Sequence, residues 1–168
     1  MAGALPGDRR FGHRRALVTK RYFTPTGRLL RFITASHRTM YRLSGGRLGT
    51  KARGLPTLLL TTTGRKSGQK HTVPLPFLPD GERMVVVASF AGGPSNPAWY
   101  LNLTADPDVL VQYRGDARPA RAETATGEAL DALWTRIAVE AAWYVDYQQR
   151  TDRQIPVVVI TPSPATRG

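Results

Sequence analysis

The sequence predicts an α+β domain, mainly β: a small barrel or sheet of six short strands with a few helices packed outside. Three observations carry that expectation. Six segments read as strands, at 57–63, 71–78, 83–90, 109–114, 118–125 and 155–162. Helical patterns are few and lie between or before them. The chain has 168 residues, 41% hydrophobic and 21% charged, which suits one soluble domain with an ordinary core.

Residues 1–23 are basic and irregular. From 24 to 43 the pattern is helical, because Leu29, Ile33, Ser36, Met40 and Leu43 recur at steps of three and four. Arg31, Arg38 and Arg42 fall opposite, so the helix is basic and amphipathic. It could pack on the body of the protein or lie on an anionic bilayer. Glycines in "SGGRLG" end it. The domain boundary is set there, with a basic extension at 1–45 and the β domain at 46–168.

"TLLLTTT" and "RMVVVASF" are near-continuous apolar runs, as in strands buried on both faces. "HTVPLPFL" is apolar but carries Pro74 and Pro76, which marks an edge strand or a bulge. "PDGE" is a hairpin turn. "NPAWYLNL" is a short helix, with Asn96 as cap and Pro97 in the first position. "VLVQYR" and "RPARAETA" form a hairpin around Gly115-Asp116. A longer helix starts near Thr126 with Leu130, Leu133, Trp134, Ile137, Ala138 and Ala141 as its apolar stripe. "IPVVVITP" is the last buried strand.

Charge is unevenly placed. The net is +12, yet residues 1–70 hold sixteen Lys and Arg against Asp8 alone, and residues 71–168 hold eight against eleven acids. Such asymmetry points to a polyanionic partner, whether nucleic acid, an anionic membrane or an acidic small molecule. Solubility and a compositional arginine bias are the plainer source. The basic residues are not interleaved with a stacking platform, which argues against nucleic acid. Cysteine is absent, which excludes disulfides, thiol nucleophiles and thiolate metal sites and fits the cytoplasm. No apolar run approaches the roughly 20 residues of a membrane span, and the N-terminus lacks a signal peptide's apolar segment.

One stretch suggests a ligand. In "TTTGRKSGQKHTVPL" a buried strand runs into a loop with glycines around Arg65-Lys66-Ser67. Glycines permit close approach, Arg65 offers a planar fork, Lys66 a point charge and Ser67 a hydroxyl, a set suited to phosphate. The spacing is neither a nucleotide P-loop nor a dinucleotide fingerprint, and a solvated basic turn explains it equally well. His13, His37 and His71 are scattered without metal-ligand spacing, so no metal is expected. No nucleophile elbow is present. An aromatic and glycine-rich centre, with Ser89, Gly92, Gly93, Trp99, Asn102, Tyr144 and Tyr147, could line a pocket for a flat ligand, although Tyr144 and Trp99 could equally be core.

Taken together and in chain order, "MYRLSGGRLG", "LLTTTGRKSGQ", "VPLPFL", "VVVASFAGG", "NPAWYLNL" and "DYQQRTDRQIPVVVI" resemble the deazaflavin-dependent nitroreductase family of actinobacteria. The resemblance implies a six-stranded split β-barrel, like the flavin-binding reductases, and the deazaflavin coenzyme F420. It implies hydride transfer to a quinone, nitroaromatic or activated alkene, or else an F420 carrier of the same fold without turnover. Several members of that family associate with the membrane through a basic N-terminal region, so contact of residues 1–45 with an anionic membrane is one expectation for a protein otherwise expected in the cytoplasm, and monomer and homodimer both stay open. By the same resemblance Arg65, Lys66, Ser67, Gly68 and His71 face the coenzyme's phosphate and acidic tail. Pro74, Leu75, Ala88, Ser89, Trp99 and Asn102 border its ring system, and Ser89, Tyr144 and Tyr147 stand on the catalytic side. Such chemistry belongs to the cofactor, which fits the absence of an acid–base pair on the protein. The sequence departs from the family pattern at His71, where arginine is common, and at Phe90, Pro76 and Ala141, where the best-known member has lysine and tyrosines.

Overall fold

The computed structural model describes residues 51–164. The helix expected at 24–43, the basic extension and the boundary at 45/46 lie outside the described residues.

Eight strands join in one antiparallel arrangement: β1 (Lys51–Ala52), β2 (Leu55–Thr63), β3 (Lys70–Pro76), β4 (Leu78–Asp80), β5 (Arg83–Val87), β6 (Asp108–Tyr113), β7 (Asp116–Thr124) and β8 (Val157–Pro162). Seven of them form a curled sheet in the order β3-β2-β6-β7-β8-β5-β4, and the two-residue β1 hooks onto the start of β2. The expected count of six is therefore corrected to seven. The stretch 71–78 is two strands, because Pro76 has no N–H to donate and the chain turns at Phe77. There the Phe77 amide donates to the Pro56 carbonyl at 2.9 Å. One edge of the sheet thus runs into the other through a single residue, since β3 pairs with β2 and β4 with β5. That linkage curls the sheet on itself, consistent with a split barrel.

Strand alternation sorts the core into two layers. Inside the curl lie Leu58, Leu60, Val86, Val109, Val111, Ala120, Ala122, Val158 and Ile160, closed by Phe77, Trp99 and Leu103. The register agrees, with Leu60 opposite Val111, Val86 opposite Val158 and Ala122 opposite Ile160. The other face of β5 and β8 puts Val85, Val87 and Val157 against α2 (Gly127–Glu140) and α3 (Trp143–Gln148). Leu130, Ile137 and Ala141 are buried there as expected, whereas Ala138 is exposed. One residue on from Ile137 is a rotation of about 100°, enough to carry Ala138 off the stripe. Helix α3 was not anticipated. Ala141, at φ −149° and ψ 52°, breaks the helical path, and the chain restarts at Trp143.

The strand expected at 83–90 ends at Val87, and the segment expected at 155–162 begins at Val157. A left-handed turn, Phe90–Gly92, and a short helix α1 (Ala98–Leu103) follow β5. The residue before α1 is Pro97, and no side chain caps the helix. Asn96 is therefore not the cap; its side chain is used elsewhere. No helix among the described residues is long and apolar enough to cross a membrane.

Candidate functional site

The basic loop is built on backbone ties. Gly64 N donates to the Gln69 carbonyl at 2.7 Å, and Gly68 N donates to the Gly64 carbonyl at 2.7 Å. Gly64 has no room for a Cβ, which would lie 2.7 Å from Ser67 Oγ and 2.8 Å from His71 Nε2. Gly68 has φ 68°, where a side chain is strained. Closing the loop this way leaves Arg65, Lys66, Ser67, Lys70 and His71 exposed. Ser67 Oγ accepts from Gln69 N at 3.3 Å, and Lys70 Nζ donates to Thr63 Oγ1 at 2.8 Å. Among the described residues, neither Arg65, Lys66 nor Lys70 joins an ion pair. Behind the loop, the Thr63 hydroxyl and the Asp108 amide donate to Asp106 and hold its carboxyl below the usual carboxylate range.

Asn102 ties this loop to the barrel. Its Oδ1 accepts from Arg65 N and from Arg65 Nη1, both at 3.3 Å, and its Nδ2 donates to Thr62 Oγ1 at 3.2 Å. The side chain is 5% exposed. Asn102 thus fixes where the Arg65 fork starts.

At the other end of α1 a second loop is held by Arg153. Its Nη2 donates to the carbonyls of Ser89 at 2.7 Å and Ala88 at 3.2 Å, Nε to that of Gly93 at 3.0 Å, and Nη1 to Asn96 Oδ1 at 2.8 Å. Burial lowers the guanidinium's pKa from its ordinary value. Gln148 braces this segment, donating to the Arg153 carbonyl at 2.8 Å and accepting from Ile155 N at 2.8 Å. The clamp holds a strained turn. Phe90, Ala91 and Gly92 have φ of 48°, 55° and 78°, and left-handed backbone of this kind clusters at ligand sites. A Cβ on Gly92 would meet the Tyr147 carbonyl at 2.8 Å and Arg150 Cβ at 2.9 Å, so the turn lies directly on α3.

Most expected site residues fall around these two loops. Ser89 is 8% exposed and sits beside the strained turn, to which its side chain makes no capping hydrogen bond. Ala88 and Trp99 are buried in the inner core and form a floor rather than an open wall. In β3, Leu75 packs against the inner core opposite Leu58, and Pro74 stands on the other face opposite Leu59. Tyr144 is 4% exposed between α3 and the sheet, and burial pushes its phenol up to about 12. Tyr147 stacks edge-on against it with centroids 6.0 Å apart and is only half-buried. Among the described residues no cluster of His, Cys, Asp and Glu could hold a metal.

The sequence reading missed Arg153, Gln148 and Arg53. Arg153 and Gln148 lie inside the quoted "DYQQRTDRQIP", but nothing in the spacing says which arginine turns inward. Arg53 precedes Gly54, a signal of a tight turn, but its place over α3 depends on the fold.

A family model described as F420H(2)-dependent quinone reductase matches residues 33–162. The F420H(2)-dependent quinone reductase Rv1261c of Mycobacterium tuberculosis is 40% identical over 129 residues, covering 74% of this chain and 87% of that protein. A solved structure of an F420-H2 dependent reductase (FDR-A) is 39% identical with a TM-score of 0.57, covering 62% of this chain and 93% of that one. A structure described as a domain-swapped dimer is 33% identical with a TM-score of 0.60, covering 82% and 99%.

Proposed function

The chain belongs to the F420H(2)-dependent quinone reductase family, an F420-dependent oxidoreductase family, and from that premise we propose that it reduces a quinone between its basic loop and the Arg153-held turn. One observation carries the placement. Helix α1 links the two loops, through Asn102 to Arg65 at one end and through Asn96 to Arg153 at the other. Cations without acid partners among the described residues then stand on one side and a half-buried aromatic wall on the other.

This donor set fits a coenzyme with an acidic tail and a flat ring. Arg65 and Lys66 are the charges for phosphate and carboxylates, with Ser67, the Gly68 backbone and His71 beside them. Leu75, on the same face of β3 as the inner core, borders the ring above a floor of Ala88 and Trp99, Pro74 stands on the other face of that strand, and Asn102 fixes the loop that meets the tail. When bound, reduced coenzyme F420 supplies a hydride, which with one proton turns a quinone into its quinol. The Ser89 hydroxyl holds the quinone oxygen or passes it that proton, and the Tyr147 phenol flanks it. Tyr144, protonated and buried, braces Tyr147 from behind. Nitroaromatics and activated alkenes accept hydride by the same geometry. The related domain-swapped dimer supports a homodimer as the assembly to test first.

Titration of the purified protein with F420, followed by oxidation of reduced F420 over a quinone panel, tests the reading. Saturable binding and quinone-dependent oxidation are expected. FMN binding in place of F420 would overturn the proposal. F420 binding without turnover on any acceptor would make the protein a carrier.

A further inference from the structure

Two guanidinium groups flank Tyr147. Arg53, in the β1–β2 turn, places its Cζ 5.7 Å from the Trp143 ring centroid and 6.0 Å from that of Tyr147. Arg150, just past the end of α3, stands 5.2 Å from the Tyr147 centroid. A guanidinium over a ring keeps its charge and leaves N–H edges free to donate. Neither arginine joins an ion pair among the described residues, although Arg83, Arg118, Arg121 and Arg136 all do. The nearest acids in sequence, Asp146 and Asp152, are exposed and also unpaired among the described residues.

The same patch carries apolar surface. Phe90 is 47% exposed, one of few large hydrophobic side chains left open among the described residues. Its ring lies over Gly93, where a Cβ would meet Phe90 Cδ1 at 2.9 Å. Gly92 packs the turn onto Arg150 and Tyr147, so Phe90 and the two arginines belong to one surface. It adjoins Ser89.

We propose that this surface selects an aromatic acceptor bearing an anionic substituent, such as a carboxylated or sulfonated quinone. The acceptor ring lies against Phe90 and Tyr147, and its anion meets the forks of Arg53 and Arg150. The inference rests on the quinone reductase reading and names the acceptor class within it. A neutral quinone gains only the apolar contact here. An anionic one adds charge-assisted hydrogen bonds to cations that pair with no acid among the described residues.

The test compares kcat/KM, with reduced F420, for 2-methyl-1,4-naphthoquinone and 1,4-naphthoquinone-2-sulfonate. It uses the full chain and its Arg53→Gln, Arg150→Gln and doubly substituted forms. The ratio of sulfonated to neutral quinone should fall by roughly tenfold in the double variant and should fall in the unmodified protein as salt is raised. An unchanged ratio overturns the proposal. If the unmodified protein oxidises no reduced F420 with either quinone, the quinone reductase reading fails separately. The surface is then judged by quenching of tryptophan fluorescence with the sulfonated quinone alone. Quenching that weakens in the double variant supports the anion site; equal quenching overturns it.

Discussion

At the scale of single residues, Lys66 and Tyr144 show how one sequence position acquires a role from its surroundings. Lys66 is exposed and has no acid partner among the described residues, so its charge is available to a ligand. Lys66→Ala should weaken F420 binding by about 1.5–3 kcal/mol, the worth of a charge-assisted contact, as measured by titration; unchanged affinity would remove this loop from the tail site. Tyr144 is the opposite case, because burial holds its phenol neutral up to about pH 12. Its folded pKa is raised above the unfolded value near 10, so stability is intact below pH 10 and declines as the pH rises toward 12. Denaturant melts between pH 9 and 12 should show a loss on the order of 2–3 kcal/mol. Tyr144→Phe should lack that alkaline loss; a variant with the same decline would show that another group causes it.

Among the elements, the left-handed turn and the segment that clamps it explain what the sequence made legible. The periodic elements could be read from pattern: apolar runs located β2 and the start of β5, alternation located β6 and β7, and the apolar stripe located α2. The loops could be noticed but not assembled. "ASFAGG" signals a turn through its glycines, yet the left-handed Phe90 and Ala91 are tolerated only because Arg153 holds the carbonyls on either side. That contact spans some sixty positions, and no local pattern records it. Asn96 looked like a helix cap because caps are common for asparagine, but a long-range partner claimed its oxygen. Arg153→Ala should strand those carbonyls and cost about 2–3 kcal/mol of stability, with a weaker hold on F420. Arg153→Lys should recover little, since an ammonium cannot reproduce the planar fork. Full recovery by lysine in chemical denaturation would contradict this account.

For the whole molecule, closure of the sheet rests on Phe77. It fills the inner core at the one point where the two edges meet and packs edge-on against Tyr113 at 5.1 Å. Phe77→Ala should destabilise the fold by about 3–5 kcal/mol through the cavity and the loosened junction. Urea unfolding checks it, and a loss below about 1 kcal/mol would mean that closure depends on the strands alone.

The place of β8 has a consequence in time. It follows every other strand in the chain, yet it lies between β7 and β5. During synthesis the earlier strands therefore emerge with the middle of their sheet missing, and both β5 and β7 wait with unpaired backbone edges. Arg153, which holds the carbonyls on either side of the left-handed turn, arrives four residues before β8 begins. The nascent chain thus closes its sheet and fixes the Phe90–Gly92 turn in one late event. A ribosome stalled before residue 153 would hold a chain whose left-handed turn at Phe90–Gly92 is fully made but lacks the guanidinium that holds its carbonyls.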